Sequence, residues 1–171
     1  MNILNRLGNY FEKNRAQRFL EGVQAWHQTC SAITRILGEA LNNEDITQGD
    51  IGVVLDNTDR KLFALRNEIA DVQGPLRHYN PALARRVSST SRDIFQLRNE
   101  TARFLIRSQG PSPDTANQPG NLELQRTYYY RALDEKGFKA RQMQVQVDRE
   151  LKSVWEELQK TIHSVEKSMA G

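Results

Sequence analysis

The chain has 171 residues, of which 26% are charged and 38% hydrophobic, and its formal net charge is +3. This length suits one domain with a hydrophobic core, so residues 1–171 are interpreted as a single helical-bundle domain. The sequence has no apolar run of transmembrane length, no secretory signal pattern and only one cysteine, so it predicts a soluble, cytoplasmic protein without a disulfide framework.

The first helical segment is predicted over residues 11–41, with a separate start at Ile3 as an alternative. Its apolar seam advances by alternating steps of four and three residues, which is typical of coiled-coil-like bundle packing. The seam consists of Phe19, Val23, Trp26, Cys30, Ile33, Leu37 and Ala40. Cys30 is therefore predicted to be a small buried hydrophobe rather than a nucleophile. Residues 1–11 precede the seam as an N-terminal amphipathic extension.

The second and third segments share the same period and look like copies of one unit. Residues 60–70 align with residues 92–102, and seven of the eleven positions are identical. The hairpin that these segments form is predicted to place four side chains in the core: Leu62, Leu65, Ile94 and Leu97. An internal repeat of this kind predicts a duplicated helix, and the alternative is convergence on common helix-forming residues.

Glycine and proline predict a tight turn over residues 73–81 and a flexible polar loop over residues 109–121. The fourth segment is predicted from about residue 122 to residue 169, and Gly137 is a candidate interruption of it. The clean part of its seam consists of Leu151, Trp155, Leu158, Ile162, Val165 and Met169.

Four amphipathic segments joined by short connections predict an all-α fold, because short connections make neighbouring helices antiparallel. The predicted architecture is a four-helix antiparallel (up-down-up-down) bundle with long first and last helices.

Motifs that carry catalysis are absent from the sequence. There is no Glu-x-x-His pair, no His-Glu-x-x-His, no Cys-x-x-Cys and no glycine-rich phosphate loop. We therefore predict that the protein is not an enzyme and that it has no cofactor and no metal site. The three histidines are interpreted as ordinary surface or flanking residues, with a shared metal site as the alternative.

Two sets of charged residues are candidate functional positions. The repeated Arg-Asn-Glu contributes polar residues that flank the seams, namely Arg66, Glu68, Arg98 and Glu100. These predict interhelical pairs that set register, and the alternative is a pseudo-symmetric polar site between the two helices. On the third segment an arginine stripe lies opposite the seam, formed by Arg85, Arg92, Arg103 and Arg107. It predicts either a phosphate-tracking surface for nucleic acid or a solvated outer face.

The excess length of the first and last segments predicts an association surface where they project past the turn at residues 74–81. Its predicted members are Ile3, Leu7, Tyr10, Phe11, Leu158, Ile162, Val165 and Met169. The resulting hypothesis is a non-enzymatic interaction or assembly protein that forms a homo-oligomer through its terminal helices. The alternatives are an accessory nucleic-acid-binding protein that uses the arginine stripe and a small-molecule sensor bundle.

Overall fold

The computed structural model describes residues 3–109, 134 and 136–170, the side chains of residues 3–7 excepted. Within this part of the chain the structure consists of α-helices and contains no strand, so the predicted all-α fold is confirmed. The helices are α1 (Ile3–Asn42), α2 (Gln48–Tyr79), α3 (Pro81–Ser108) and α4 (Phe138–Ala170). The predicted loop over residues 109–121 lies outside the described residues, apart from Gln109.

Helix α1 is continuous from Ile3 through Gly8 to Asn42, so no separate helix starts at Ile3. Its predicted seam is buried along its whole length, from Phe19 at 0% exposure to Ala40 at 4%. Cys30 is among the fully buried residues of this seam, as predicted. The 3.5-residue period therefore identified the face of α1 that packs in the bundle.

The connection between α2 and α3 is shorter than the sequence indicates. A turn was predicted over residues 73–81, but α2 passes through Gly74 and Pro75 and ends at Tyr79, which leaves Asn80 alone between the helices. Proline has a φ that suits a helix, and it removes one backbone N–H donor without obliging the helix to end. The stop signal lies instead at Asn80, whose side chain accepts a hydrogen bond from the Leu83 N–H and caps α3, with Pro81 at the first helical position.

Neighbouring helices are antiparallel, because contacting residues that rise in number along one helix fall in number along the other. The contacts are Gly22–Asp71 and Thr29–Glu68 for α1 and α2, Asp59–Arg98 and Gln73–Ala84 for α2 and α3, Arg86–Ser153 and Glu100–Lys139 for α3 and α4, and His27–Trp155 and Asn42–Arg141 for α1 and α4. The chain thus runs up, down, up and down around a shared core.

The core is drawn from all four helices. The predicted hairpin residues Leu62, Leu65, Ile94 and Leu97 are all buried in it. Trp26 also lies in the core, and its indole Nε1–H donates a hydrogen bond of 2.9 Å to Ser91 Oγ of α3. A buried indole N–H costs stability unless it finds such an acceptor, so this bond fixes how α1 crosses α3.

Helix α4 begins directly after Gly137, whose φ of 64° lies in the left-handed region. An added Cβ there would lie 2.9 Å from a ring carbon of Phe104, so both backbone and space favour glycine. The predicted break of the fourth segment at Gly137 therefore corresponds to the start of α4. Residues 122–133, where the fourth segment was predicted to begin, lie outside the described residues.

Candidate interaction surfaces

The end of the bundle that contains both chain termini is where α1 continues past its neighbours. Tyr79, the last residue of α2, packs against Phe19 of α1 with ring centroids 5.3 Å apart. Upstream of that level the burial pattern changes, because Ala16 is buried whereas residues 8–15 are all exposed. Residues 8–15 are therefore the projecting part of α1, in which no side chain is buried.

Exposed aromatic rings lie on this projection. Tyr10 is 62% exposed and Phe11 is 65% exposed, and their rings make an edge contact with centroids 6.1 Å apart. The other predicted residues on α1, Ile3 and Leu7, have side chains outside the described part of the structure. Tyr10 and Phe11 are thus the members of the predicted association surface that the structure places in solvent.

The α4 half of the predicted association surface requires a correction. Leu158 and Val165 are 0% and 4% exposed, and Ile162 and Met169 are half-buried against the same core. The α4 seam faces inwards to its last turn, because the bundle supplies enough neighbouring surface to cover it. These four residues are therefore packing residues rather than a free patch.

Two surface hollows flank the projecting part of α1. One, of about 790 Å³, lies between Tyr10 and the C-terminal turn of α4 at Met169. The other, of about 690 Å³, lies between α1 and the end of α2. The second hollow is lined by Phe11, Asn14, Arg15, Arg18, Gly74, Pro75 and His78. It combines an aromatic ring with two guanidinium groups and no carboxylate, so it offers apolar contact beside positive charge.

We define the terminal end as residues 8–18, 75–85 and 160–170. Its basic residues are Lys13, Arg15, Arg18, Arg77, Arg85, Lys160 and Lys167, and its acidic residues are Glu12 and Glu166. All seven basic residues are exposed, and none takes part in an ion pair among the described residues. These three segments therefore carry more basic than acidic side chains, and Glu21 and Asp71 line a hollow together with Arg18.

Exposed carboxylates surround the connection between α1 and α2 at the opposite end of the bundle, where Lys136 and Arg141 line the same hollow as Glu44. We define the acidic turn as residues 39–59, which contain no lysine or arginine. Its acidic residues, all exposed, are Glu39, Glu44, Asp45, Asp50, Asp56 and Asp59. Ion pairs of 2.8 Å to Arg60 and Arg98 partly offset the last two. Hydrogen bonds from the N-cap residue Thr47 to the Asp50 carboxylate complete a capping box and lower the pKa of Asp50.

All four members of the arginine stripe are exposed, as a surface role requires. Arg103 forms an ion pair of 3.4 Å with Glu100, and Arg107 pairs with Asp134. Arg85 and Arg92 have no carboxylate partner in the part of the chain that the structure describes. The N-terminal half of the stripe is thus more available to an anionic partner than the C-terminal half.

The repeated polar residues do not converge on one site. Glu68 accepts a hydrogen bond of 2.9 Å from Thr29 of α1, whereas Glu100 lies 3.3 Å from the Lys139 ammonium of α4. Each glutamate therefore contacts the terminal helix next to its own helix.

The arginines of the repeat both contact the other repeat helix, and each has a different kind of partner. Arg66 lies over the Phe95 ring at 5.6 Å, and Arg98 forms two contacts of 2.8 Å with Asp59. These separate interhelical contacts correspond to the register-setting hypothesis, and the residues form no common pseudo-symmetric site.

One interhelical contact was not anticipated from the sequence. His27 of α1 stacks on Trp155 of α4, with ring centroids 3.8 Å apart and planes 11° from parallel. Burial lowers the pKa of His27, which favours the neutral imidazole. Nothing in the sequence links these two residues, because only the closure of the bundle brings α1 beside α4.

The side chains that could react or bind a metal do not come together in the described part of the chain. Burial, together with the nearby Glu68 carboxylate, raises the pKa of the Cys30 thiol well above its ordinary value, which suppresses the nucleophilic thiolate. Across residues 3–109 and 136–170, no three potential metal-ligating side chains come together. None of the helices in these residues has an apolar stretch of the length that crossing a bilayer requires.

Comparison with known proteins gives no assignment: no family model, no curated protein and no solved structure matches this chain. The functional argument therefore depends on the surfaces described above.

Proposed function

We propose that the chain is a non-enzymatic interaction and assembly protein that self-associates through its terminal end. The observation that supports this proposal is the exposure of Tyr10 and Phe11 on the projecting part of α1. In the packed part of the same helix, an aromatic residue such as Phe19 is fully buried.

The energetic argument rests on how helices obtain their stability. A helical stretch of about 13 residues without tertiary contacts is marginal in water. The side chains of residues 8–15 are all exposed, and full burial of a large apolar side chain contributes about 1.5–3 kcal/mol. A partner that covers Tyr10 and Phe11 would therefore stabilise both the aromatic side chains and the helix that holds them.

Paired substitutions test this proposal. We expect the wild type to exceed the mass of one chain at high protein concentration in sedimentation velocity. Tyr10→Ala with Phe11→Ala should shift the population to single chains. Phe138→Ala is the matched control, because Phe138 is 53% exposed and lies outside the terminal end. A wild type that stays monomeric across the concentration range would contradict self-association.

A second candidate function is nucleic-acid binding by the arginine stripe, which the exposure of Arg85 and Arg92 favours. Duplex binding through phosphate contacts should weaken steeply with salt. We expect Arg85→Glu with Arg92→Glu to lose most of that binding at low salt, while Arg149→Glu with Lys152→Glu, an equal change of charge on α4, should retain it. A wild type that shows no shift of labelled duplex at low salt rules out this function.

A further inference from the structure

Helices α3 and α4 face each other along a row of charged side chains that flank the core. On α3 these are Arg86, Asp93 and Glu100, which are spaced seven residues apart, and each directly precedes a buried residue. The contacts at the two ends of the row join groups of opposite charge. Arg86 lies 3.8 Å from the Glu157 carboxylate of α4, and Glu100 lies 3.3 Å from the Lys139 ammonium.

The middle of the same row joins two carboxyl groups. Because α3 and α4 are antiparallel, the step of seven residues from Arg86 to Asp93 corresponds to the step from Glu157 back to Glu150. The two carboxyl groups are accordingly in hydrogen-bond contact, and both side chains are half-buried. An ionised carboxylate only accepts hydrogen bonds, so a bond between two carboxyl groups requires that one of them carries a proton.

We propose that Asp93 and Glu150 share one proton and that this proton tightens the contact between α3 and α4 as the pH falls. When the proton is present, the O–H of one carboxyl group donates to the carboxylate of the other. When it is absent, two negative charges face each other across the helix pair. The proton belongs to the pair rather than to either residue alone. Both residues lie in one chain, so this contact does not depend on self-association.

The groups that surround Glu150 on α3 and α4 act in both directions. Its pKa is raised by burial and by the hydrogen bond and negative charge of Asp93. It is lowered by a hydrogen bond with Gln146 of its own helix and by the positive charge of Arg86. The net effect is a raised pKa, so the raising contributions are larger than the lowering ones.

Helix α4 also packs against α1, where the nearest charged or titratable residues are His27 and Arg35. His27 stacks on Trp155, which lies five residues beyond Glu150. A step of seven residues from the Asn42–Arg141 contact sets the exposed Arg35 level with Asp148. The groups that shift the pKa of Glu150 therefore lie on α3 and on α4 itself.

The direction of the pH response follows from the raised pKa. A carboxyl group that binds its proton more tightly in the folded chain stabilises the fold fully below its ordinary pKa, which is 4.5 for Glu150. That stabilisation is lost as the pH rises through the pKa of the folded state. The α3–α4 contact is thus expected to be stronger in acid than at neutral pH.

A carbon-detected NMR titration of the side-chain carboxyl groups in the full chain tests the shared proton directly. Glu150 of the wild type should titrate above 4.5. Asp93→Asn removes the facing charge and offers an amide N–H donor, so it should lower the pKa of Glu150. The control is Asp45→Asn, an equal change of charge at the connection between α1 and α2, which should leave that pKa unchanged.

Urea denaturation then measures the effect on the fold. Glu150→Gln places a neutral N–H donor opposite Asp93 and should raise the urea midpoint above that of the wild type at neutral pH. The gain should shrink towards pH 4.5, where the wild type carries its own proton. The matched control is Glu157→Gln, the same substitution opposite Arg86, which should not raise the midpoint.

Three results would overturn the proposal. The first is a Glu150 carboxyl group that titrates at or below its ordinary pKa in the wild type. The second is a raised pKa that Asp93→Asn leaves unchanged, because burial alone would then account for it. The third is a Glu150→Gln variant that is no more stable than the wild type at neutral pH. The titration of the wild type needs no substitution, so the test remains decisive even if a variant fails to fold.

Discussion

Two parts of helix α1 place similar residues in opposite environments. From Ala16 onward the helix buries a seam of large side chains, and Phe19 and Trp26 are both at 0% exposure. Over residues 8–15 the same helix is exposed on all sides, and Phe11 is 65% exposed. Helical conformation is shared by the two parts, so it does not distinguish them. Packing distinguishes them, because the side chains of residues 8–15 lie beside surface hollows at the ends of α2 and α4 instead of inside the core.

The two parts of α1 are expected to contribute to different properties, the packed part to folding and the projecting part to interaction. A large apolar side chain that the chain itself buries stabilises the monomer, whereas one that the chain leaves exposed is available to a partner. The packed part of α1 is therefore expected to determine the free energy of unfolding, and the projecting part is expected to determine association. Substitutions of matched type in the two parts test this division.

The largest expected effect comes from a pair of identical substitutions. Phe19→Ala should lower the free energy of unfolding by about 3–5 kcal/mol, because it leaves a cavity in the core. Phe11→Ala should change the unfolding of the monomer by no more than about 0.5 kcal/mol. Urea denaturation at low protein concentration measures both. Similar losses for the two variants would show that the projecting part is packed in the monomer and would contradict the comparison.

A smaller effect is expected at the polar contact of the packed part. Ser91→Ala removes the acceptor of the buried Trp26 Nε1–H and should cost about 1–3 kcal/mol. Ser88→Ala on the exposed side of α3 is the control and should be nearly neutral. If urea midpoints show the two variants to be equally stable, the indole has another acceptor.

Glycine substitutions extend the comparison to the backbone. An added Cβ meets nothing within 4 Å at Gly8 and only ordinary contact, 3.5 Å from Asp71 Cβ, at Gly22. Alanine in a helix interior is favoured over glycine by about 0.5–1 kcal/mol. Gly22→Ala should therefore raise the urea midpoint. Gly8→Ala should raise helicity in far-UV circular dichroism and leave the midpoint unchanged, because the projecting turns fray independently. A midpoint shift in Gly8→Ala would mean that the two parts unfold together.

Periodicity in the sequence located the packed part well. The seam of α1 and four core residues of the α2–α3 hairpin were predicted correctly, because a regular period selects one face of a helix wherever partners cover it. Periodicity does not show where the partners end. The assignment of Leu158 and Val165 to a free surface was wrong for that reason. The turn over residues 73–81 was also wrong, since the cap at Asn80 ends α2 rather than Gly74 or Pro75.

The candidate interaction surfaces were harder to predict than the core. Tyr10, Phe11 and the arginine stripe could be proposed from spacing alone. The hollows beside Tyr10 and Phe11 could not, because they depend on which helix ends share an end of the bundle. The His27–Trp155 stack was invisible for the same reason, as it requires α4 to return beside α1.

The smallest expected effect concerns that stack, which lies in the packed part of α1 and reports on closure of the bundle. Burial lowers the pKa of His27 below its ordinary value of 6.5, so the folded chain resists protonation more than the unfolded chain does. As pH falls below about 6.5, the unfolded state binds the proton first, and the free energy of unfolding should decrease.

Asp148 and Glu150 have raised pKa values and act in the opposite direction at lower pH, so the pH dependence of the wild type alone does not isolate the contribution of His27. The measurement is therefore the difference in unfolding free energy between the wild type and His27→Gln from pH 7.5 to 5.5. We expect that difference to become slightly smaller as the pH falls, because His27 is only half-buried. A difference that rises as pH falls would show that His27 is stabilised as a cation over the Trp155 ring, and α1 and α4 would then be held more tightly in acid than at neutral pH.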